Sequence, residues 1–202
     1  MAPKPEQLVL ASASAVRAAL LRAAGINFAV MAAAVDEAPL KQTMRAGGES
    51  ATACAIALAV EKARHVSRQV PDALVIGADQ ILVMGDAWFD KPPDLSEARA
   101  QLRALRGRSH VLATAVCVVG DGNALWHAVS RPELTMRRFS DAFLDDYLAA
   151  EGESLLGSVG SYRLEGRGVQ LFSRINGDHF AVLGLPLLEL LRFLRERGAL
   201  PK

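Results

Sequence analysis

The first residues with chemical potential stand in one short segment, in which Ser12 and Ser14 precede a predicted helix that carries Arg17 in its first turn. Free backbone N–H groups and the positive end of the helix dipole favour an anion at such a junction. A guanidinium group can also form paired hydrogen bonds with phosphate oxygens. The segment therefore predicts either an anion-binding loop or an ordinary serine cap followed by a solvated arginine.

A second candidate is Asp79, which directly follows the apolar run Leu74–Ala78. The run is typical of a buried strand, so the carboxylate is predicted to lie at the carboxyl edge of a sheet, where open α/β sheets bind their ligands. There it could coordinate a divalent cation or accept a proton from water. A turn aspartate that caps the following element is an equally good interpretation of Asp79 alone.

Three further charged side chains would complete a site for phosphate and metal. Glu37 offers a second carboxylate, while Lys62 and Lys91 offer positive charges for phosphate oxygens. Exposed lysine and glutamate are usually solvated, so each residue alone is weak support. The chain has neither a Gly-x-x-x-x-Gly-Lys loop nor a Gly-x-Gly-x-x-Gly loop after a strand, which excludes the common folds that use them.

The elements that must position these residues alternate between strands and helices in the first half of the chain, and paired strands follow later. This order indicates an α/β fold with a mixed sheet flanked by helices. The predicted strands cover Gln7–Ala11, Asn27–Val30, Leu74–Asp79 with a continuation at Ile81–Met84, Val111–Val119, a return strand through Val129, and a strand ending at Ile175. The predicted helices end at Gly25, cover Ala51–Val66, open at Asp94 and Ser140, and cover Pro186–Arg197.

The composition limits the class of protein. With 202 residues, 51% hydrophobic and 22% charged, the chain is predicted to form one domain over residues 1–202. A formal net charge of +1 argues against a protein that coats nucleic acid. No run reaches the roughly 18 apolar residues that a membrane helix needs. Cys54 and Cys117 lie in apolar runs, which predicts buried thiols in a cytoplasmic protein.

Taken together, these segments resemble the Maf family, which is named for its link to septum formation in bacteria. The similarity covers nearly the whole chain and keeps the family's order, although each motif alone is weak. The matching segments are Leu8–Arg17, Val35–Glu37, Glu61–Ala63, Ile76–Asp79, Asp90–Pro92, Gly107–His110, Gly160–Gly166 and Leu183–Pro186.

The resemblance implies a long mixed sheet flanked by helices in two lobes, with a nucleotide cleft between them. It implies hydrolysis between the α- and β-phosphates of a nucleoside triphosphate, with a divalent cation such as Mg²⁺ or Mn²⁺. Asp79 falls on the catalytic position, as proton acceptor, and Asp79 and Glu37 would hold the metal. The substrate-binding positions that the resemblance implies are Ser12, Ser14, Arg17, Lys62 and Lys91.

Substrate choice within the family follows three positions. The dTTP/UTP branch typically shows Arg, Thr and Gln there, and the branch acting on 7-methyl-GTP shows Trp, Gln and Glu. This chain has Val16, Gln80 and Glu165. Two of the three positions agree with the 7-methyl-GTP branch, and a carboxylate suits the donors on a guanine edge. Val16 matches neither branch, and Ala15 stands where the family usually has proline.

Other functions stay open at this point. One is a dTTP/UTP pyrophosphatase of the same family, and another is a non-catalytic nucleotide-binding regulator of septum formation. The joint presence of Asp79, Glu37, Lys62 and Lys91 disfavours the regulator. An enzyme of the inosine-triphosphate type would cleave the same bond, but its motifs match less well. The expected partner is a small-molecule nucleotide, with no nucleic acid and no membrane, and a homodimer is one open alternative for the assembly.

Overall fold

Residues 7–201 are described by the computed structural model, in which eight strands form one mixed sheet. Their hydrogen-bonding order is β2-β1-β3-β5-β7-β8, with β4 paired to β3 and β6 paired to β5. β1 is parallel to β2 and β3, whereas the β3–β4, β5–β6, β5–β7 and β7–β8 pairs are antiparallel. The strands are β1 Gln7–Leu10, β2 Ala29–Val30, β3 Ala73–Met84, β4 Ala87–Phe89, β5 Ser109–Gly120, β6 Asn123–Ser130, β7 Glu133–Met136 and β8 Phe172–Asn176.

Seven α-helices and three short 3-10 helices accompany the sheet in the described part of the chain, so the predicted α/β class is confirmed. The α-helices are α1 Ala15–Ala23, α2 Ala38–Ala46, α3 Ala51–Ser67, α4 Leu95–Leu105, α5 Asp141–Glu151, α6 His179–Val182 and α7 Leu187–Arg197. The 3-10 helices are Gly152–Gly157, Val159–Ser161 and Arg167–Leu171. Within residues 7–201, no helix combines the length and apolar character that a bilayer crossing requires.

Side-chain caps set the starts of four helices. Ser14, Ser50, Asp94 and Ser140 each accept a hydrogen bond from the backbone N–H three residues further on. These caps satisfy donors that the first helical turn would otherwise leave unpaired. The predicted starts at Asp94 and Ser140, and the predicted passage from strand to helix at the first serines, are therefore confirmed.

The prediction for β3 was wrong in one respect that matters for Asp79. The strand does not end on this carboxylate but runs without a break through Asp79 and Gln80 into the predicted continuation, and it ends at Met84, because residues 81–84 are again apolar. What ends near Asp79 is the parallel neighbour β1, whose last residue, Leu10, pairs with Ile76. Asp79 thus lies within its own strand and three positions past the end of β1.

The sequence prediction did not include α2, β4, β7, α6 or the three 3-10 helices. α2 begins one residue after Glu37 with Pro39 in its first turn, and a proline at that place is compatible with a helix. β7 has only four residues and is held by pairing with β5 and β8 on its two sides, so its hydrophobic pattern was too short to recognise.

The chain divides into two compact units. The first contains residues 7–79, 114–130 and 180–201 of the described chain. Its core is formed by aliphatic side chains from β1, α1, β3, β5 and α7 and from the segments that join them. The buried members are Leu8, Leu10, Ala18, Leu21, Ile26, Leu74, Ile76, Ala78, Val116, Val118, Leu185, Leu187, Leu190 and Leu194.

The second unit contains Gln80–Ala113 and Arg131–His179. Its interior includes hydrogen-bonded polar side chains. Gln101 of α4 donates to the Asp90 carbonyl at 3.0 Å and accepts from the Ser161 hydroxyl at 3.1 Å. His110 of β5 is 2.8 Å from the Tyr162 hydroxyl. Buried polar groups usually need hydrogen-bond partners. Through these contacts the segments Gly107–His110 and Gly160–Gly166 stabilise the interior of the second unit.

Candidate active site

The centre of the candidate site is the carboxylate of Asp79, which is only 5% exposed. Its Oδ1 accepts a hydrogen bond from Lys62 Nζ at 2.5 Å. Its Oδ2 is buried and receives no hydrogen bond from any described residue. A buried carboxylate oxygen that accepts no hydrogen bond lowers the stability of a protein. Oδ2 is therefore the atom of this site that a bound cation or water would satisfy.

Lys62 joins Asp79 to the second predicted carboxylate. It lies on α3, and its Nζ is 2.7 Å from Glu37 Oε1 as well as 2.5 Å from Asp79 Oδ1. Lys41, one turn into α2, approaches Glu37 Oε2 at 3.4 Å. Burial alone would raise the pKa of Glu37, but the hydrogen bond and charge of Lys62, with those of Lys41, outweigh it and lower that pKa. Glu37 is therefore ionised at neutral pH.

Arg17 is held by the protein on three sides. Its Nε donates to the Gly184 carbonyl at 2.7 Å, and its Nη1 donates to the Ala78 carbonyl at 2.8 Å and to Ser12 Oγ at 3.2 Å. Burial lowers the pKa of Arg17 from its usual value, while the charges of Asp79 and Glu37 oppose that shift. The guanidinium stays protonated, and its Nη2 makes no hydrogen bond within residues 7–201.

The two serines lie at the N terminus of α1. Ser14 is the cap residue, and its hydroxyl accepts from the Arg17 N–H at 3.4 Å. Ser12 is 7% exposed, and its Oγ also accepts from the Ser14 N–H at 3.2 Å. The first turn of α1 contains no acidic side chain, so the positive end of the helix dipole is not neutralised locally.

The carboxylates of Asp79 and Glu37 are the side chains of this site that could bind a metal ion. No group of three or more His, Cys, Asp and Glu side chains is arranged to hold a metal ion among the residues that the structure describes. Mg²⁺ is commonly bound by one or two carboxylates together with phosphate oxygens of a substrate. Asp79, with its unpartnered Oδ2, and the ionised Glu37 have the hard oxygen ligands that such an ion prefers, so the residues present fit it.

The other predicted positions are described unit by unit. Val16 is half-buried on α1 in the first unit. Gln80 is half-buried and directly follows Asp79 in β3, at the start of the second unit. Lys91 is exposed in the connection between β4 and α4. Glu165 lies in an exposed turn, where its Oε1 accepts from Arg163 Nε at 3.2 Å.

The structure brings six of the predicted residues together within the first unit in two contacting groups. Ser12 and Ser14 contact Arg17, and Glu37 and Asp79 contact Lys62. The Ala78 carbonyl, which accepts from Arg17 and directly precedes Asp79, connects the two groups. Sequence reasoning did not find Lys41 or the carbonyl groups of Ala78 and Gly184. The spacing of four residues from Glu37 to Lys41 was an available signal, whereas backbone carbonyl groups leave no trace in side-chain patterns.

The fold and this site define an α/β protein with paired carboxylates, partly buried cations and a helix N terminus suited to a phosphate-bearing ligand and a hard cation. The model of Maf-like proteins matches residues 7–197. The chain belongs to the Maf family, and the resemblance drawn from its motifs is confirmed.

Curated relatives are similar along their whole length. A nucleoside triphosphate pyrophosphatase of Granulibacter bethesdensis is 58% identical over 194 residues, which cover 96% of this chain and 98% of that protein. A second, from Rhodospirillum rubrum, is 51% identical over 193 residues and 96% of each chain. A 7-methyl-GTP pyrophosphatase of Rhizobium meliloti is 50% identical over 193 residues, which cover 96% of this chain and 97% of that protein.

Proposed function

We propose that this chain hydrolyses a nucleoside triphosphate between its α- and β-phosphates and releases a nucleoside monophosphate and pyrophosphate. The names of the full-length relatives support this activity. The observation that carries it is the buried Asp79 carboxylate, with its unpartnered Oδ2 beside two cationic side chains.

Each residue of the first unit has a role that its geometry supports, and Lys91 is added from the family resemblance alone. Asp79 accepts the proton of the attacking water, since a buried carboxylate with a free oxygen can act as a general base. Lys62 and the Nη2 group of Arg17 neutralise charge that develops on the phosphates. Ser12, Ser14 and the first turn of α1 donate hydrogen bonds to phosphate oxygens. Lys91 of the second unit supplies a further positive charge.

Glu37 and Asp79 would hold Mg²⁺ or Mn²⁺ together with substrate phosphates. A bound divalent cation supplies Lewis-acid stabilisation of the phosphoryl oxygens. Glu37 orients the Lys62 ammonium group through the 2.7 Å contact, so this carboxylate also keeps a cation beside Asp79. Treatment with a chelator should abolish turnover, and added Mg²⁺ or Mn²⁺ should restore it.

For the nucleobase we propose 7-methylguanine. Gln80 and Glu165 agree with the branch that acts on 7-methyl-GTP, and relatives of that name are 50% and 46% identical to this chain. The Glu165 carboxylate accepts hydrogen bonds from the N1–H and amine of a guanine edge. Thymine has an acceptor oxygen in place of that amine, and the mismatch costs about 1–3 kcal/mol. The alternative is a preference for dTTP or UTP, which Val16 leaves open.

The test is pyrophosphate release from a panel of canonical, methylated and deaminated triphosphates. We expect the highest kcat/KM with 7-methyl-GTP, and Glu165→Gln should narrow or invert the preference, because an amide can donate as well as accept. Glu153→Gln, an exposed substitution in the same unit, is the matched control. dTTP as best substrate would overturn the base preference, and a lack of any turnover would favour a nucleotide-binding regulator.

The same proposal assigns the whole chain to one catalytic domain, and the match over residues 7–197 supports this extent. The thiols of Cys54 and Cys117 are buried, and we propose the reducing cytoplasm as the location of the protein. A homodimer remains the assembly to test by light scattering of the purified protein.

A further inference from the structure

The turn between α6 and α7 contains Gly184, a residue to which the proposed reaction gives no role. Gly184 has φ +99°, a backbone conformation that residues with side chains rarely adopt. In this conformation its carbonyl accepts the hydrogen bond from Arg17 Nε at 2.7 Å. The glycine therefore supplies the contact to Arg17 that comes from farthest along the sequence.

This contact completes the set of bonds that fixes the guanidinium plane. Arg17 Nη1 is bound to the Ala78 carbonyl and to Ser12 Oγ, and Nε is bound to Gly184. Because the guanidinium is planar, fixing Nε and Nη1 also fixes the direction of Nη2. Ala78 directly precedes Asp79, and the charge of Asp79 opposes the effect of burial on the pKa of Arg17, so the same bonds hold the guanidinium within electrostatic range of the carboxylate.

We propose that Gly184 is a positioning residue for the reaction, and that its backbone carbonyl acts by orienting the Arg17 guanidinium beside Asp79. The proposal rests on the proposed function, since its consequence is measured in hydrolysis. A Cβ atom at Gly184 would lie 3.3 Å from Arg17 Nε, and an alanine would also resist φ +99°. Both effects move the carbonyl away from Arg17.

The first test compares Gly184→Ala with Gly198→Ala. Gly198 also has positive φ, +83°, and lies in the same unit at the end of α7, but a Cβ atom there would meet nothing within 4 Å. Both variants should lower the urea midpoint, because an alanine at positive φ is strained. Gly184→Ala should lower kcat on the order of tenfold or more, because small misplacements of a catalytic group are costly. KM should change by less than about threefold, since the positive charge remains.

The second test is a double-mutant cycle with Arg17→Ala. If Gly184 acts through Arg17, the double variant should be no slower than Arg17→Ala alone, within about twofold. Gly198→Ala combined with Arg17→Ala provides the control cycle. Equal kcat values for Gly184→Ala and Gly198→Ala would overturn the proposal, as would a loss at Gly184 that adds in full to that of Arg17→Ala.

Two further measurements cover a Gly184→Ala variant that does not fold and a wild-type protein that has no activity. Should Gly184→Ala not fold, Gly184→Asn is measured with the same expectations, because asparagine tolerates positive φ better than alanine. A wild-type protein that releases no pyrophosphate from any triphosphate would overturn the proposed function, and with it the role in the reaction. The same double-mutant cycle, measured by urea denaturation, would still decide whether Gly184 and Arg17 are coupled. Midpoint shifts of the two single variants that add in the double variant would refute that coupling.

Discussion

At the scale of single residues, the Lys62 ammonium group determines how two carboxylates can lie close together. It contacts Asp79 at 2.5 Å and Glu37 at 2.7 Å, and its side chain is only 13% exposed. Like charges near one another and away from water repel strongly. The Lys62 ammonium group lies between the two carboxylates and offsets this repulsion, and it lowers the pKa of Glu37.

We therefore expect Lys62→Met to impair both stability and activity. The variant leaves the buried Asp79 carboxylate without its ion-pair partner, which should lower the free energy of unfolding by about 3 kcal/mol. Loss of a charge aimed at the phosphates should reduce kcat/KM by roughly 10²- to 10³-fold. Urea denaturation and steady-state kinetics measure the two effects. Arg68→Met, an exposed change at the end of the same helix, should do neither, and near-native kinetics of Lys62→Met would contradict the role.

Arg17 shows what residue types can and cannot predict. The sequence placed its side chain in the first turn of a helix beside two serines, and the structure agrees. Its bond to Gly184 spans 167 positions of the chain, and no local pattern encodes a contact at that separation. The arginine expected to face only phosphate is in fact bound mainly to backbone carbonyls, with Nη2 left for a ligand.

At the scale of elements, β3 and α3 approach one another unusually closely. A Cβ atom at Gly77 of β3 would lie 2.1 Å from the Ala59 carbonyl oxygen and 2.9 Å from the Ala63 Cβ of α3. Neither backbone nor a buried alanine can yield by such distances in a well-packed core. This approach brings α3, which carries Lys62, against β3, which carries Asp79.

Gly77→Ala should accordingly lower the free energy of unfolding by about 3 kcal/mol or more, because the helix and strand must separate. Gly157→Ala is the control, since a Cβ atom there would meet nothing within 4 Å and its φ is not positive. That variant should change stability by less than about 1 kcal/mol. Equal urea midpoints for the two variants would show that the close approach does not exist.

The buried His110 of β5, which is hydrogen-bonded to Tyr162, predicts a dependence of stability on pH. His110 is 2% exposed, and burial lowers its pKa from 6.5 to about 4. Between these values the unfolded chain binds a proton that the folded protein excludes. The contribution of His110 to the free energy of unfolding is therefore fully present above about pH 6.5 and is lost as the pH falls towards 4.

Between about pH 7 and pH 4.5, the free energy of unfolding should fall by about 2–3 kcal/mol more in the wild-type protein than in His110→Gln. Urea titrations of both proteins at the two pH values measure this difference. Parallel pH profiles would show that another group is responsible.

The elements themselves were predictable where capping and periodicity agreed, as in α3, α4 and α7. They were not predictable where a proline stood inside a helix start, as in α2, or where four residues depend on neighbouring strands, as in β7. The end of β1 was predicted to within one residue, but its register against β3, which puts Asp79 beyond that end, was not, because register depends on tertiary pairing.

At the scale of the whole molecule, the proposed roles divide between the two units. Asp79 is the last residue of the first unit in β3, and Gln80 is the first residue of the second. The residues proposed for hydrolysis lie mainly in the first unit, whereas Lys91, Gln80 and Glu165 belong to the second. Substitutions of Gln80 or Glu165 are expected to change the choice of base more than the rate of hydrolysis, whereas Lys91 is proposed to act on the phosphates.

The most direct test of the account is ³¹P NMR of the products that wild-type protein and Asp79→Asn form from 7-methyl-GTP at saturating Mg²⁺. Asp86→Asn, an exposed change in the turn after β3, is the matched control. We predict monophosphate and pyrophosphate from the wild type and from Asp86→Asn, and no turnover by an Asp79→Asn protein that unfolds near the wild-type temperature. A folded Asp79→Asn protein with near-native turnover, or a wild type that releases diphosphate nucleotide and orthophosphate, would contradict the account.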